Sequence, residues 1–263
     1  MKTLVSFAQE CEDIILYHLL ENVADPIYYV DVGANDPVII SVTKFFSDRG
    51  GHGINIEPQH DYIERLNEDR PGDINLEVGI GNKPGKLKLY GSGAGASFDA
   101  NYDNEAASHH DEPASHREVP ITTLERVFAE YVPQAQPVHF LKIDVENYEK
   151  QVLQGMDFEK YRPWIICMES TLPNTDIPSW DAWEDILLSN NYQFLGMSGI
   201  NRYYAAVESR CQLNDFCDAD KLKEMYNIII LYIMLEKAAD YDQHEVVYKS
   251  KITNVLKHIY GTK

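Results

Sequence analysis

Polar and apolar positions along this chain switch repeatedly between a helical period and short, nearly unbroken apolar runs. Phe7, Ile14, Ile15, Leu19 and Leu20 recur at helical spacing and predict an amphipathic helix over residues 6–23, with Ser6 able to cap it. The run 27–32 then predicts a buried strand. The alternation continues with a helix over 38–49 that ends at Gly50-Gly51, a strand over 53–57, a helix over 61–69 and a strand over 74–80. A short strand over 86–90 follows the Pro84-Gly85 turn. Further on come a helix over 122–131 capped by Thr122 or Thr123, a strand over 138–145, a helix over 147–153 and a strand over 163–169. A helix over 180–190 leads to two strands, 192–197 and 202–207, expected to pair as a hairpin. Strands alternating with helices predict an α/β fold: a mostly parallel sheet covered on both faces, with an antiparallel pair at one edge.

Two stretches depart from this rhythm. Residues 91–117 open with Gly91-Ser92-Gly93-Ala94-Gly95 and run acidic and His-bearing, with almost no periodicity. They read as a mobile insertion able to close over a site, or as a plain surface loop. Beyond Asp218 the pattern is helical, and residues 226–235 are almost wholly apolar. That segment either packs on the sheet domain or forms a homodimer interface. The expected division is therefore a domain over 1–209 and a helical extension over 210–263.

Composition narrows the partners. With 42 Asp and Glu against 23 Lys and Arg in 263 residues, the formal net charge is −19. That argues against nucleic acid and against an anionic membrane surface, both of which select for cationic faces. A small anionic substrate stays open, because a few local cations can hold one. The longest apolar run, near residues 228–235, is far short of the roughly 20 residues that span a bilayer. Residues 1–10 carry no apolar signal core. Cys11, Cys167, Cys211 and Cys217 show no Cys-x-x-Cys spacing, so reduced thiols and a cytoplasmic location are expected.

The chemistry-bearing residues collect at strand ends. The first strand finishes Val30-Asp31-Val32-Gly33-Ala34-Asn35-Asp36-Pro37, an acid followed by a glycine turn. The second finishes Ile56-Glu57-Pro58, placing a carboxylate where it can hold the two hydroxyls of a ribose. The Gly-x-Gly-x-x-Gly fingerprint of dinucleotide binding is absent. Asp36 adds negative charge to the turn and Pro37 removes a donor, which disfavours a pyrophosphate and suits a cofactor with a cationic end, such as S-adenosylmethionine. Val78 and Gly79, after the third strand, are candidates for the adenine face. The fourth strand ends Leu141-Lys142-Ile143-Asp144-Val145-Glu146, and alternation points Lys142, Asp144 and Glu146 the same way. The fifth ends at Glu169, so Asp144 and Glu169 are expected side by side at one sheet edge, either holding a hard cation such as Mg²⁺ or Mn²⁺ or forming a structural pair with Lys142.

Taken in order, these pieces resemble the FkbM family of S-adenosylmethionine-dependent methyltransferases. The resemblance rests on Ser6-Phe7-Ala8-Gln9-Glu10-Cys11-Glu12-Asp13, on Val30 to Asn35, on Gly53-Ile54-Asn55-Ile56-Glu57-Pro58, on Leu141 to Glu149, and on Asn201-Arg202-Tyr203-Tyr204. It covers roughly residues 6–207. It implies a Rossmann-like, class I methyltransferase sheet of seven strands, and O-methylation of a sugar or another small hydroxylated metabolite, including nucleotide-activated sugars and polysaccharide precursors. By the family pattern Asp31, Gly33, Asn35 and Glu57 contact the cofactor, with Gln9 and Asp13 supporting the pocket. With Asp36, Pro58 and Val78 these form the expected cofactor set. Many members carry Gly where this chain has Pro37 and Asn147.

A sugar hydroxyl ionises far above pH 7, so the transfer needs a base or a metal. The expected arrangement has Asp144 and Glu169 hold a divalent cation while Glu146, or a histidine among His109, His110 and His116, takes the proton. A metal-free version with Glu146 or a histidine as sole base stands beside it. Two rivals of other classes are a nicotinamide oxidoreductase on a similar sheet and a non-catalytic cofactor-binding or assembly module.

Overall fold

The computed structural model describes residues 5–23, 26–99, 116–173 and 175–213. Its strands are β1 (Tyr28–Val32), β2 (His52–Ile56), β3 (Ile74–Leu76), β4 (Gly79–Ile80), β5 (Gly85–Tyr90), β6 (His116–Thr122), β7 (Phe140–Ile143), β8 (Ile165–Glu169), β9 (Tyr192–Ser198) and β10 (Asn201–Ala206). The helices are α1 (Glu12–Leu19), α2 (Lys44–Ser47), α3 (His60–Asp69), α4 (Leu124–Tyr131), α5 (Glu149–Gln154) and α6 (Glu184–Ser189). Seven strands form one sheet in the order β3-β2-β1-β7-β8-β10-β9. All pairings are parallel except those of β10, which runs antiparallel to β8 and to β9.

Alternation along β1 explains why that strand is apolar at every position but Asp31. Tyr28, Val30 and Val32 enter one core, with Leu124, Val127 and Phe128 of α4. Tyr29 enters the other, with Ile15 and Leu19 of α1 and Phe45 and Phe46 of α2. Both faces are covered, so no residue of the strand faces water. Each large side chain so buried contributes about 1.5–3 kcal/mol. His139 belongs to this framework: its Nδ1 accepts the Tyr28 N–H at 2.8 Å.

Four local expectations change. The first helix is confined to Glu12–Leu19, because Cys11 sits at its N-cap with φ 63° and Ser6 does not cap it. Ser6 Oγ instead donates to Asp13 Oδ1 at 2.6 Å, and the Phe7 N–H donates to Asp13 Oδ2 at 2.7 Å, folding the preceding segment back over the helix start. The helix expected over 38–49 shrinks to Lys44–Ser47. Asp36 Oδ1 accepts the Val38 and Ile39 N–H groups, and Ile40 lies at φ 57°, so the chain there is a side-chain-held loop. The strand expected over 74–80 is two strands in two sheets. Its second half joins β5 and β6 in a small sheet of order β4-β6-β5, and β6 falls where the insertion was expected to end. Of that insertion, residues 100–115 lie outside the described residues, with His109 and His110. The expected helical extension does too beyond Leu213, and with it the dimer interface. Among the described residues no helix is long and apolar enough to cross a membrane.

The chain winds from β1 outward to β3, then returns to β7 on the other side of β1. The carboxyl ends of β1 and β7 therefore open at a topological switch point, where open α/β sheets bind their ligands.

Candidate active site

Gly33 turns the chain off β1 with φ 81°, and a Cβ there would stand 1.8 Å from the Asp144 carbonyl oxygen, so only glycine fits. The Gly33 and Ala34 N–H groups donate to the Ile56 carbonyl, and the Asn35 N–H donates to Glu57 Oε2 at 3.1 Å. Glu57 Oε1 accepts the Gln59 N–H at 2.8 Å. Two backbone amides thus fix the Glu57 carboxylate while each oxygen keeps a free acceptor direction. Burial raises the Glu57 carboxyl above its ordinary range, and those same amide bonds work in the opposite direction.

These residues line a cleft with about 770 Å³ of empty space, open mouth included. Gln9, Gly33, Asn35, Glu57, Pro58 and Val78 of the expected cofactor set all border it. Asp13, Asp31 and Asp36 do not, and each acts behind the wall. Asp13 anchors the segment that leads to Gln9. Asp36 shapes the turn after Asn35 and pairs with Arg65 at 2.8 Å. Asp31 is 1% exposed, accepts the Thr43 hydroxyl, and stands in register beside Lys142. Lys142 Nζ lies 3.4 Å from Asp31 and 3.4 Å from Asp144, and donates to the Gly33 carbonyl at 2.9 Å. Burial works against the Lys142 charge, but Asp31 and Asp144 hold the ammonium above its ordinary range.

The far wall comes from the start of the segment that the sequence marks as an insertion able to close over a site or as a plain surface loop. Gly93, Ala94, Ala96 and Phe98, from the start of the expected insertion, border the cleft. Gln59 grips this segment with two hydrogen bonds to Gly93, Nε2 donating to its carbonyl and Oε1 accepting its N–H, both at 2.9 Å. Ser97 Oγ donates to the Glu146 carbonyl at 2.6 Å, and Asn147 Nδ2 to Asp99 at 2.8 Å. Gln59, two residues past Glu57, is the residue that the sequence reading did not single out.

The other side of Lys142 is acidic. Asp144, Glu146 and Glu169 each bring one carboxylate oxygen within 4.8 Å of the other two. Glu146 and Asn147 follow β7 with φ 55° and 73°, a double left-handed turn that swings the Glu146 carboxyl back toward Asp144. Glu149 Oε1 accepts the Val145 and Asn147 N–H groups and holds that turn. Burial, then Asp144 and Glu149, push Glu146 up to about 8. Glu169 rises further, through burial and then the crowding of Asp144, Glu146 and Glu149. Its Oε2 is buried without a hydrogen-bond partner. The cluster borders a second chamber that shares Gln9, Ile40, Ala94, Asp144 and Glu146 with the cleft. His116 is exposed on β6 opposite Tyr90 and borders neither.

A seven-stranded doubly wound sheet whose switch point carries a glycine turn and a strand-end carboxylate is the architecture of a Rossmann-like nucleoside-cofactor enzyme. The model of the methyltransferase FkbM domain matches residues 31–194, well over half of the chain, and the protein belongs to this family of S-adenosylmethionine-dependent methyltransferases. Among solved structures it is similar to precorrin-6y C5,15-methyltransferase from Geobacter metallireducens GS-15, at 13% identity and a TM-score of 0.38, over 78% of this chain and 89% of that one. No curated protein matches it in sequence.

Proposed function

We propose that this methyltransferase acts on a hydroxyl of a sugar, on a nucleotide-activated sugar or a polysaccharide precursor in the cytoplasm. One observation carries the reading: the Gly33–Glu57 cleft opens directly onto the carboxyl cluster of Asp144, Glu146 and Glu169. The cleft fits the methyl donor. Glu57 offers free acceptor directions to a ribose diol, Gly33 lets the turn after β1 close against the Asp144 carbonyl at the cleft wall, and Val78 and Pro58 supply apolar wall. Gln9 and Asn35 complete the contacts, while Asp13, Asp31 and Asp36 hold those residues in place. When bound, S-adenosylmethionine supplies an electrophilic methyl on a sulfonium.

The chain must orient the acceptor oxygen and take its proton as the carbon–oxygen bond forms and the carbon–sulfur bond breaks. Glu146, with a proton affinity near working pH, is the base. Asp144 and Glu169, with Glu146 beside them, are hard oxygen donors close enough to surround Mg²⁺ or Mn²⁺, and the unpartnered Glu169 Oε2 fits a missing positive neighbour. A cation held there would polarise the acceptor oxygen. The test is methyl transfer to a panel of sugars and nucleotide sugars, followed by mass. No product with any hydroxylated acceptor sinks the sugar reading. Full turnover both in EDTA and in Asp144→Ala removes the metal and leaves the metal-free version, with Glu146 or a histidine as sole base.

A further inference from the structure

Ile40 holds a backbone conformation that its own side chain disfavours. Its φ is 57°, in the left-handed region, where a β-branched residue is a genuine outlier. Such strain persists only where the surroundings impose it, and both flanks of Ile40 are clamped. Before it, Asp36 Oδ1 accepts the Val38 and Ile39 N–H groups at 2.9 Å, and the Arg70 guanidinium donates to the Pro37 carbonyl. After it, the Ser41 N–H donates to the Phe7 carbonyl at 3.0 Å, and Ser41 Oγ accepts from Arg70 Nη2 at 2.7 Å. Arg70 is 2% exposed, so the clamp is anchored in the interior. Glycine would adopt this backbone without strain.

The residue so held borders both the Gly33–Glu57 cleft and the second chamber. The two spaces share Gln9, Ile40, Ala94, Asp144 and Glu146, so among the described residues Ile40 is the one large apolar group at their junction. It is 53% exposed, which leaves half of that apolar surface open. With the ribose on Glu57, the sulfonium has to lie at this junction if its methyl group is to reach an acceptor in the second chamber. A β-branched side chain has few rotamers and makes a firm wall there, which is what an in-line displacement asks of its surroundings. We propose that Ile40 is a donor-positioning contact, whose side chain covers the sulfonium end of S-adenosylmethionine and fixes the methyl group at the passage into the second chamber. The inference rests on the cleft being the cofactor site.

The experiment measures binding and stability, so it does not depend on finding the acceptor. S-adenosylmethionine is titrated by calorimetry into the wild type and into Ile40→Gly, Ile40→Ala and Ile40→Val, and the urea midpoint of each protein is recorded. Ile40→Gly is expected to unfold at higher urea, because the strain is gone. The same variant is expected to bind S-adenosylmethionine about fivefold more weakly, the scale of covering the open half of an isoleucine side chain. Ile40→Ala is expected to weaken binding to a similar degree, whereas Ile40→Val, which keeps the branch, should bind as the wild type does. Wild-type affinity in both Ile40→Gly and Ile40→Ala would overturn the proposal. So would a loss confined to Ile40→Gly, which marks backbone freedom and not a contact, or a lowered urea midpoint in that variant. The two readings fail separately. A wild-type protein that does not bind S-adenosylmethionine counts against the cleft as the cofactor site, whereas wild-type binding that the variants leave unchanged counts only against Ile40.

Discussion

Gln59 and Gly93 exchange two hydrogen bonds, and both residues border the cleft lined by Gly33 and Glu57. A side-chain amide here pairs with one backbone residue as a neighbouring strand would. It ties the far wall to the residue whose own N–H holds Glu57. Gln59→Met keeps the size and deletes both bonds. Each neutral bond contributes about 1 kcal/mol, so affinity for S-adenosylhomocysteine is expected to fall roughly tenfold or more, measured by calorimetry.

Glu57→Gln puts an NH₂ where one of two backbone amides now donates. Either the Asn35 or the Gln59 N–H then faces a donor. The expected result is a loss of about 1–3 kcal/mol in cofactor affinity, with KM for S-adenosylmethionine raised. A Glu57→Gln enzyme with wild-type KM would remove this residue from the cofactor contacts.

Lys142→Met leaves Asp31 buried beside no ammonium. Breaking a buried pair on one side costs about 3–5 kcal/mol, and urea unfolding should show it. Adding Asp31→Asn to the same protein should recover part of the loss, since no uncompensated charge remains. If the double variant is as unstable as the sum of the two singles, the pair is not coupled.

Glu12 is buried at the start of α1, where its Oε1 accepts from Asn201 and its Oε2 from the Glu10 N–H. Burial pushes its carboxyl up to about 7 from an ordinary 4.5. The folded protein therefore binds this proton more tightly than the unfolded chain does. The stabilisation is complete below about pH 4.5 and is lost as pH rises through about 7, a swing on the order of 3 kcal/mol. Urea midpoints at pH 5 and pH 8 should differ less in Glu12→Gln than in the wild type, and an unchanged difference would refute the assignment.

Much of the sheet was legible because it is covered twice. Tyr28–Val32 and Ile165–Glu169 are buried along their whole length and apolar but for Asp31 and the terminal Glu169, and the hairpin of Tyr192–Ser198 with Asn201–Ala206 follows from two adjacent runs. The acid cluster was partly legible too, since Asp144 and Glu169 end strands that pair. What escaped depended on distant partners or on side chains competing with the backbone. The alternating stretch Ile74–Ile80 changes sheets between Leu76 and Gly79, a step fixed by which distant strands pair with its two halves. β6 contains Pro120 and gains its strand character from β5 and β4. Asp31 reads as a cofactor contact until the register sets Lys142 next to it. The loop after Pro37 reads as helix until Asp36 takes two of its amides.

Gly33 rests on the carbonyl of Asp144, and Lys142 bridges the same two places. The cleft and the acid cluster are therefore one mechanical part, joined by main chain. An engineer who wants a new acceptor cannot shift Asp144 without disturbing the cofactor turn. Retargeting has to begin at the chamber's outer residues, Thr171, Thr175 and Asp176, and leave that joint alone.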